Sequence, residues 1–176
     1  MADRLQRSLS DDIHAITQQI YRYCRAMDRM DVELGYSIWH DDGEADYGEA
    51  IFRGTGHGFI DFVTNAHAAM IAHSHQVSNV LVEVDGDRAA SESYVTAALR
   101  FEDAEGLKEN IIRGRYLDRW SYRDGRWAVD RREFIHDFND VRLIENEGQP
   151  STSARDRSDR SYAVLDIGSR ASPTRP

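Results

Sequence analysis

The chain has 176 residues, enough for one domain with a sizeable hydrophobic core and some additional chain. Its formal net charge of −9 argues against a nucleic-acid surface, which needs clustered lysine and arginine side chains to neutralise phosphates. The single cysteine, Cys24, excludes an intramolecular disulfide, and the polar N-terminus does not resemble a signal peptide. We therefore expect a cytoplasmic protein that binds neither nucleic acid nor membrane.

Three helices are predicted in the first part of the chain. Ser10 is expected to cap the first helix, because apolar residues recur at helical spacing over residues 13–27. Asp31 is expected to cap a second, shorter helix, and a third helix is expected to follow Gly56. Residues 43–53 lie between the second and third helices and are predicted to form a short hairpin.

The pattern changes near His75, where apolar and polar residues begin to alternate with a period of two. Four long strands are predicted, and the glycine turns at Asp85-Gly86 and Asp124-Gly125 connect two pairs of them as hairpins. The strands are predicted over residues 79–85, 88–101, 107–122 and 127–136. Helices followed by an antiparallel meander indicate an α+β fold, with three N-terminal helices packed on a curved, mainly antiparallel sheet.

The composition changes again near residue 146. Residues 150–176 are rich in Ser, Thr, Arg, Asp and Pro and contain few apolar side chains. Such a segment buries too little apolar surface to offset the entropy of ordering it. We predict an α+β domain over residues 1–145 and a flexible polar tail over residues 146–176, of which one short stretch could dock on the body or on a neighbouring subunit.

Asp28 and His75 are the strongest candidates for catalysis. Asp28 closes the first helix and His75 opens the strand region, so both are expected to face one cavity. A histidine whose second ring nitrogen donates to a carboxylate is a competent general base without a cofactor. The alternative is a histidine that is satisfied in the core or at a sheet edge.

The same segment contains a possible pair of metal ligands. His73 and His75 have the spacing of two metal ligands on one strand face. Glu83 shares their strand parity but is too distant to complete a site, and Cys24 and His67 are not obviously convergent. The sequence therefore predicts no metal site.

Three further residues are candidates for binding a substrate. Tyr23 and Tyr47 could hold or polarise a substrate oxygen, although an aromatic residue at helical spacing often belongs to the core. Arg132 shares the pleat parity of Phe134, and an arginine that faces inward needs an anion or an electron-rich partner. That partner could be a substrate carboxylate or phenolate; alternatively, Arg132 pairs with Asp130 or Glu133 outside the cavity.

Several short motifs resemble those of the SnoaL-like domains, a branch of the nuclear-transport-factor-2-like superfamily. The resemblance covers residues 8–145 and leaves out the tail. The motifs, in chain order, are Tyr23 with Met27-Asp28-Arg29, Asp46-Tyr47-Gly48, His75-Gln76-Val77-Ser78-Asn79, Val84-Asp85-Gly86-Asp87, Gly114-Arg115-Tyr116-Leu117-Asp118-Arg119 and Asp124-Gly125-Arg126-Trp127.

Within that superfamily the chain is most similar to cofactor-free lyases: the hexachlorocyclohexane dehydrochlorinases, scytalone dehydratases and bile-acid dehydratases. The resemblance implies a cone-shaped α+β barrel, often a homotrimer, in which Asp28 and His75 are the catalytic dyad. Tyr23, Tyr47 and Arg132 match substrate-contacting positions in some of these lyases. Ala98 stands near the position of a further aspartate in the bile-acid enzymes, so the proton relay of those enzymes is not expected here.

The sequence leads to two functional hypotheses. The first is a cofactor-independent lyase that removes water, halide or an aldehyde from a small aromatic, polyketide-like or steroid-like molecule. The same dyad could instead catalyse a cyclisation or isomerisation. The second is a non-catalytic ligand carrier or scaffold, resembling the small subunit of ring-hydroxylating dioxygenases. The distance between Asp28 and His75 distinguishes the two hypotheses.

Overall fold

The structure is a computed structural model that describes residues 7–145 and 148–166. Its helices are α1 (Leu9–Arg29), α2 (Val32–Ser37), α3 (Gly56–Ala68) and α4 (Arg160–Leu165). Its strands are β1 (Trp39–Asp46), β2 (Arg53–Thr55), β3 (Ala72–Asp85), β4 (Arg88–Asp103), β5 (Gly106–Arg123) and β6 (Arg126–Leu143).

Helix α1 begins two residues earlier than predicted, because Ser8 and not Ser10 is its cap. The Ser8 side chain accepts a hydrogen bond from the Asp11 amide at 3.1 Å, and the Asp11 carboxylate accepts one from the Ser8 amide at 3.3 Å. This reciprocal capping box satisfies two amides at the helix start. The helix ends at Met30, whose left-handed backbone conformation (φ 48°) turns the chain toward α2.

The six strands form one sheet in the order β2-β1-β6-β5-β4-β3. All neighbouring strands are antiparallel except β1 and β6, which are parallel. Register shifts in the β1/β6, β3/β4 and β5/β6 pairs mark irregularities of the kind that bend strands and curve a sheet. The predicted fold class is confirmed: the fold is α+β, with a curved, mainly antiparallel and unclosed sheet whose edges are β2 and β3.

The core lies between the sheet and helices α1 to α3. The buried face of α1 contributes Ile16, Ile20 and Met27 to it, as the helical spacing predicted. Trp39 and Trp120 are almost fully buried in the same cluster. Trp127 is buried as well, and its indole N–H donates to Asp12 of α1 at 2.7 Å, which ties the helix to β6.

Part of the C-terminal segment contacts the body of the protein. Tyr162 of α4 donates its hydroxyl to Asp31 at 2.7 Å, and Arg25 of α1 donates to Ser161 at 2.9 Å. Residues 146–147 and 167–176 of the predicted tail lie outside the described residues. No helix in the described ranges combines the length and apolar character that a membrane crossing requires.

Candidate functional site

Asp28 and His75 meet where the last turn of α1 crosses the start of β3. Ring nitrogen Nδ1 of His75 lies 2.8 Å from Oδ1 of Asp28. The backbone amide of His75 also donates to both carboxylate oxygens, at 2.9 and 3.1 Å. Because a carboxylate at neutral pH only accepts hydrogen bonds, Nδ1 must carry the proton. Nitrogen Nε2 then keeps its lone pair and makes no hydrogen bond to the described part of the chain.

A small pocket opens beside this pair, between α1 and β3. Its volume is about 280 Å³, and the side chains of His75 and Asp28 are only 8% and 16% exposed at its wall. The lining residues are Tyr21, Cys24, Arg25, Asp28, Arg29, His75 and Val77. A larger groove of about 940 Å³ lies along the β3–β4 and β5–β6 turns but includes neither member of the pair. The smaller pocket is therefore the candidate site, because of these two cavities only the smaller one lies next to His75, the candidate base.

Two more histidines surround His75. The His67 ring of α3 lies 5.5 Å and the His73 ring 6.2 Å from the His75 ring, measured between centroids. Burial, reinforced by the neighbouring histidines and Arg155, lowers the pKa of His67 to about 3. Burial also lowers the pKa of His73. Among the described residues no group of three or more His, Cys, Asp or Glu side chains has a geometry that could hold a metal ion.

Tyr23 and Tyr47 form a hydroxyl pair in the core. Their oxygens lie 2.9 Å apart, and the Tyr47 ring stacks on Phe59 at a centroid distance of 3.8 Å. Burial raises the pKa of both tyrosines well above the usual value. Both hydroxyls therefore stay protonated at neutral pH and cannot act as bases. Because one hydroxyl donates to the other, the pair has one proton left to donate to a further group.

Arg132 is fully buried and has a partner that the sequence analysis did not consider. Its guanidinium makes two hydrogen bonds to Asp118, at 2.7 and 2.8 Å. The rings of Tyr23 and Tyr116 flank it, with centroids 4.2 and 4.1 Å from Cζ. Although burial disfavours the charged form, Asp118 raises the pKa of Arg132 well above the usual value. Nitrogen Nη1 has no hydrogen-bond partner in the described part of the chain.

The predicted site residues thus fall into two groups. Asp28 and His75 share the pocket, whereas Tyr23, Tyr47 and Arg132 form an adjacent buried cluster that does not line it. Arg25 was missed by the sequence analysis. It lies three residues before Asp28 on α1, a spacing that places both side chains on one helix face. Arg155, which reaches the histidine cluster from the C-terminal segment, had no such periodic signal.

The protein thus combines an open α+β sheet, helices on one face and a carboxylate–histidine pair at the crossing of α1 and β3. A family model described as a SnoaL-like domain matches residues 8–133. The chain therefore belongs to the SnoaL-like family, and the resemblance inferred from the motifs is confirmed.

Solved structures share the fold at low sequence identity. A provisionally assigned scytalone dehydratase from Novosphingobium aromaticivorans is 23% identical, with a TM-score of 0.66 over 86% of this chain and 100% of that one. A hexachlorocyclohexane dehydrochlorinase from Novosphingobium barchaimii is 21% identical, with a TM-score of 0.66 over 78% and 94%. A Mycobacterium tuberculosis protein of unknown function is 28% identical, with a TM-score of 0.60 over 75% and 73%. No curated protein matches the chain.

Proposed function

We propose that the protein is a cofactor-independent lyase that uses His75 as a general base, oriented by Asp28. The observation that carries this proposal is the hydrogen-bonded pair itself, with a free ring nitrogen beside a pocket. In the proposed step, His75 Nε2 removes a proton from a carbon or oxygen of the substrate. The electron pair left behind forms a new double bond as the bond to the leaving group breaks. Halide departs as the anion, and a leaving hydroxyl takes up a proton to depart as water. In a retro-aldol step the new double bond is the C=O of the departing aldehyde, and the other fragment keeps the electron pair of the broken C–C bond and is then protonated.

Asp28 has two tasks in this mechanism. Its charge stabilises the imidazolium that forms when His75 takes the proton, and its contact with Nδ1 fixes the tautomer that leaves Nε2 free. The His75 amide holds the same carboxylate, so Asp28 is positioned before substrate binds. A general base of this kind accelerates proton transfer by about 10²–10⁴-fold, and positioning and desolvation must supply the remainder.

We assign the adjacent cluster of Tyr23, Tyr47 and Arg132 to stabilising the substrate oxygen that departs or becomes polarised. Tyr23 and Tyr47 remain protonated, and Tyr47 is the less buried of the two. With Tyr23 donating to Tyr47, the Tyr47 hydroxyl is the one that can donate to a substrate oxygen that gains negative charge. Arg132 already has a carboxylate partner in Asp118, so we assign it to holding the Tyr23 ring in place. Arg132 is fully buried and does not line the pocket, so in this proposal it acts through the tyrosines and not on the substrate directly.

The names of two structural neighbours support an elimination. One is called a dehydratase and the other a dehydrochlorinase, and loss of water or of hydrogen chloride each requires removal of a proton. Small hydrophobic or aromatic molecules from cytoplasmic aromatic-compound breakdown are the proposed substrates. A cyclisation or isomerisation would use the same pair. A scaffold role gives no reason for a base and a carboxylate to lie 2.8 Å apart, so the geometry favours the enzyme.

His75→Ala and Asp28→Asn test the proposal. Hexachlorocyclohexane and scytalone serve as the first probes, with chloride release and loss of water as the measurements. We expect turnover by the unsubstituted protein and a decrease of at least about 100-fold in each variant, because each loses the base or its orientation. Both variants should remain folded, with the free energy of unfolding lowered by about 1–2 kcal/mol at most.

His14→Ala provides a matched control, because His14 is an exposed histidine on α1 away from the pocket. It should retain the activity of the unsubstituted protein. The assignment of the dyad is wrong if His75→Ala or Asp28→Asn keeps more than a tenth of the turnover.

A further inference from the structure

His73 is held from both sides by groups of opposite hydrogen-bonding character. Its Nε2 lies 2.8 Å from the carbonyl oxygen of Met27, in the last turn of α1. Its Nδ1 lies 3.4 Å from Nη1 of Arg155, in the C-terminal segment. The residue is 8% exposed, so these two partners replace most of its contact with water.

These partners leave one protonation state for His73. A carbonyl oxygen only accepts hydrogen bonds, so Nε2 must carry a proton. A guanidinium only donates, so Nδ1 must be bare. A second proton on Nδ1 would face the Arg155 N–H and place two positive charges next to each other. The geometry therefore keeps His73 neutral, in the tautomer opposite to that of His75.

The charge of Arg155 is directed at this cluster. The same Nη1 also donates to the carbonyl oxygen of His67 at 2.9 Å, near the C-terminal end of α3. That carbonyl also accepts from the Met70 amide at 2.9 Å, and the carbonyl end of a helix attracts cations. Within the described ranges Arg155 makes no ion pair with a carboxylate. Asp28 is the carboxylate that acts against it, because it raises the pKa of His73.

The charged and titratable groups around His73 come from four elements: Asp28 of α1, His67 of α3, His75 of β3 and Arg155. Burial is the main cause that lowers the pKa of His67 and of His73, and Arg155 acts in the same direction. The Met27 carbonyl and Asp28 oppose this by raising the pKa of His73. Of the three histidines, His75 alone hydrogen-bonds to a carboxylate. The cluster is thus arranged so that one imidazole takes up a proton while the other two stay neutral.

We propose that Arg155 and His73 are positioning residues of the site: Arg155 fixes the His73 tautomer, and His73 then holds the Met27 carbonyl next to Asp28. The catalytic consequence rests on the proposed function, whereas the fixed tautomer does not. Part of the C-terminal segment consequently belongs to the site, because residue 155 supports the turn of α1 that presents Asp28 to His75.

The tautomers can be read directly by ¹⁵N NMR of the imidazole rings. In the unsubstituted protein we expect His73 to carry its proton on Nε2 and His75 on Nδ1, with His73 unchanged between pH 8 and pH 5. In Arg155→Gln, His73 should begin to take up a proton within that range. Turnover on an accepted probe should fall roughly tenfold, with a changed pH profile, because a loosened Asp28 no longer orients His75 uniformly.

Two variants separate the role of Arg155 from general damage. Arg155→Lys retains the positive charge and should keep His73 neutral. Arg157→Gln removes another guanidinium of the same segment. The Arg157 guanidinium contacts Asp31 at 3.4 Å and not the histidines, so the His73 signals should not change.

The outcomes distinguish this inference from the proposed function. A His73 with its proton on Nδ1, or one that titrates in the unsubstituted protein, overturns the inference whatever the activity. It is also overturned if Arg155→Gln and Arg157→Gln have the same His73 signals and the same pH profile. If the His73 tautomer is fixed but the protein has no elimination activity, the proposed lyase function is refuted and the inference about the His73 tautomer still holds.

Discussion

Arg132 illustrates how one buried residue depends on its partner. Removal of one member of a buried ion pair leaves an uncompensated charge in a medium of low polarity, which costs far more than the pair contributes. The guanidinium is fully buried, and Asp118 is its only carboxylate partner among the described residues. The flanking rings of Tyr23 and Tyr116 supply part of the electrostatic stabilisation but cannot replace a carboxylate.

Asp118→Asn should therefore destabilise the protein by about 3–5 kcal/mol, measured as the free energy of unfolding in urea. Asp42→Asn is the matched control, because the Asp42–Arg123 pair is 71% and 40% exposed. Exposed pairs contribute about 0–1 kcal/mol, so the control should change stability little. Equal effects of the two substitutions would contradict the view that Arg132 depends on Asp118.

The site was only partly predictable from the sequence. Asp28 and His75 stood out because each ends or opens an element, and the structure brings them into contact. The partner of Arg132 was also within reach, since Asp118 alternates with Tyr116 and Trp120 on the buried face of β5 and pairs directly with Arg132. The role of Arg155 could not be predicted, because its contact with His73 spans 82 positions of the chain and leaves no periodic pattern.

At the scale of the elements, local sequence signals located the turns better than the strand ends. The Asp124-Gly125 turn has positive φ at both positions, as a two-residue hairpin requires. Strand β6, however, continues to Leu143, beyond the predicted end near His136. Its last part pairs with β5 while its side chains are mostly exposed and polar, so backbone pairing extends the strand where no apolar alternation marks it.

Asp31 connects α2 with α4, and substitution of Asp31 tests both contacts. Its side chain caps α2 by accepting from the Leu34 amide at 3.2 Å, and it also accepts from Tyr162 of α4. Burial alone would raise the pKa of Asp31, but these hydrogen bonds and Arg157 lower it. Asp31→Ala should lower the free energy of unfolding by about 1–2 kcal/mol, because the cap is lost. It should also expose the C-terminal segment to trypsin.

Tyr162→Phe separates the two effects of Asp31. It keeps the cap and the ring that packs on Arg25, and removes only the hydroxyl donated to Asp31. Cleavage at Arg155, Arg157 and Arg160 should accelerate in both variants, whereas the loss of stability should be larger in Asp31→Ala. If Asp31→Ala is cleaved no faster than the unsubstituted protein, the contact with α4 does not hold the segment.

At the scale of the whole molecule, one face of the sheet carries none of the helices in the described part of the chain. The described helices α1 to α3 pack on the face that carries Val80, Val82 and Val84. The opposite face exposes Leu81, Tyr94 and Phe138, which are 67%, 44% and 54% exposed. Strand pairing places Tyr94 beside Arg115, and Phe138 beside Arg113, on that same face. Exposed apolar side chains gathered on one sheet face are typical of an interface between subunits.

We expect this face to join copies of the chain, as the homotrimer that the resemblance to the lyases implies. Light scattering should then give three times the chain mass, and Tyr94→Glu should shift it toward one chain mass, because a carboxylate buried without a partner opposes association. Leu9→Glu places the same charge on an apolar residue that is 61% exposed, at the start of α1, and should leave the assembly unchanged. A monomer at micromolar concentration, or equal dissociation of both variants, would show that the uncovered face is not the interface.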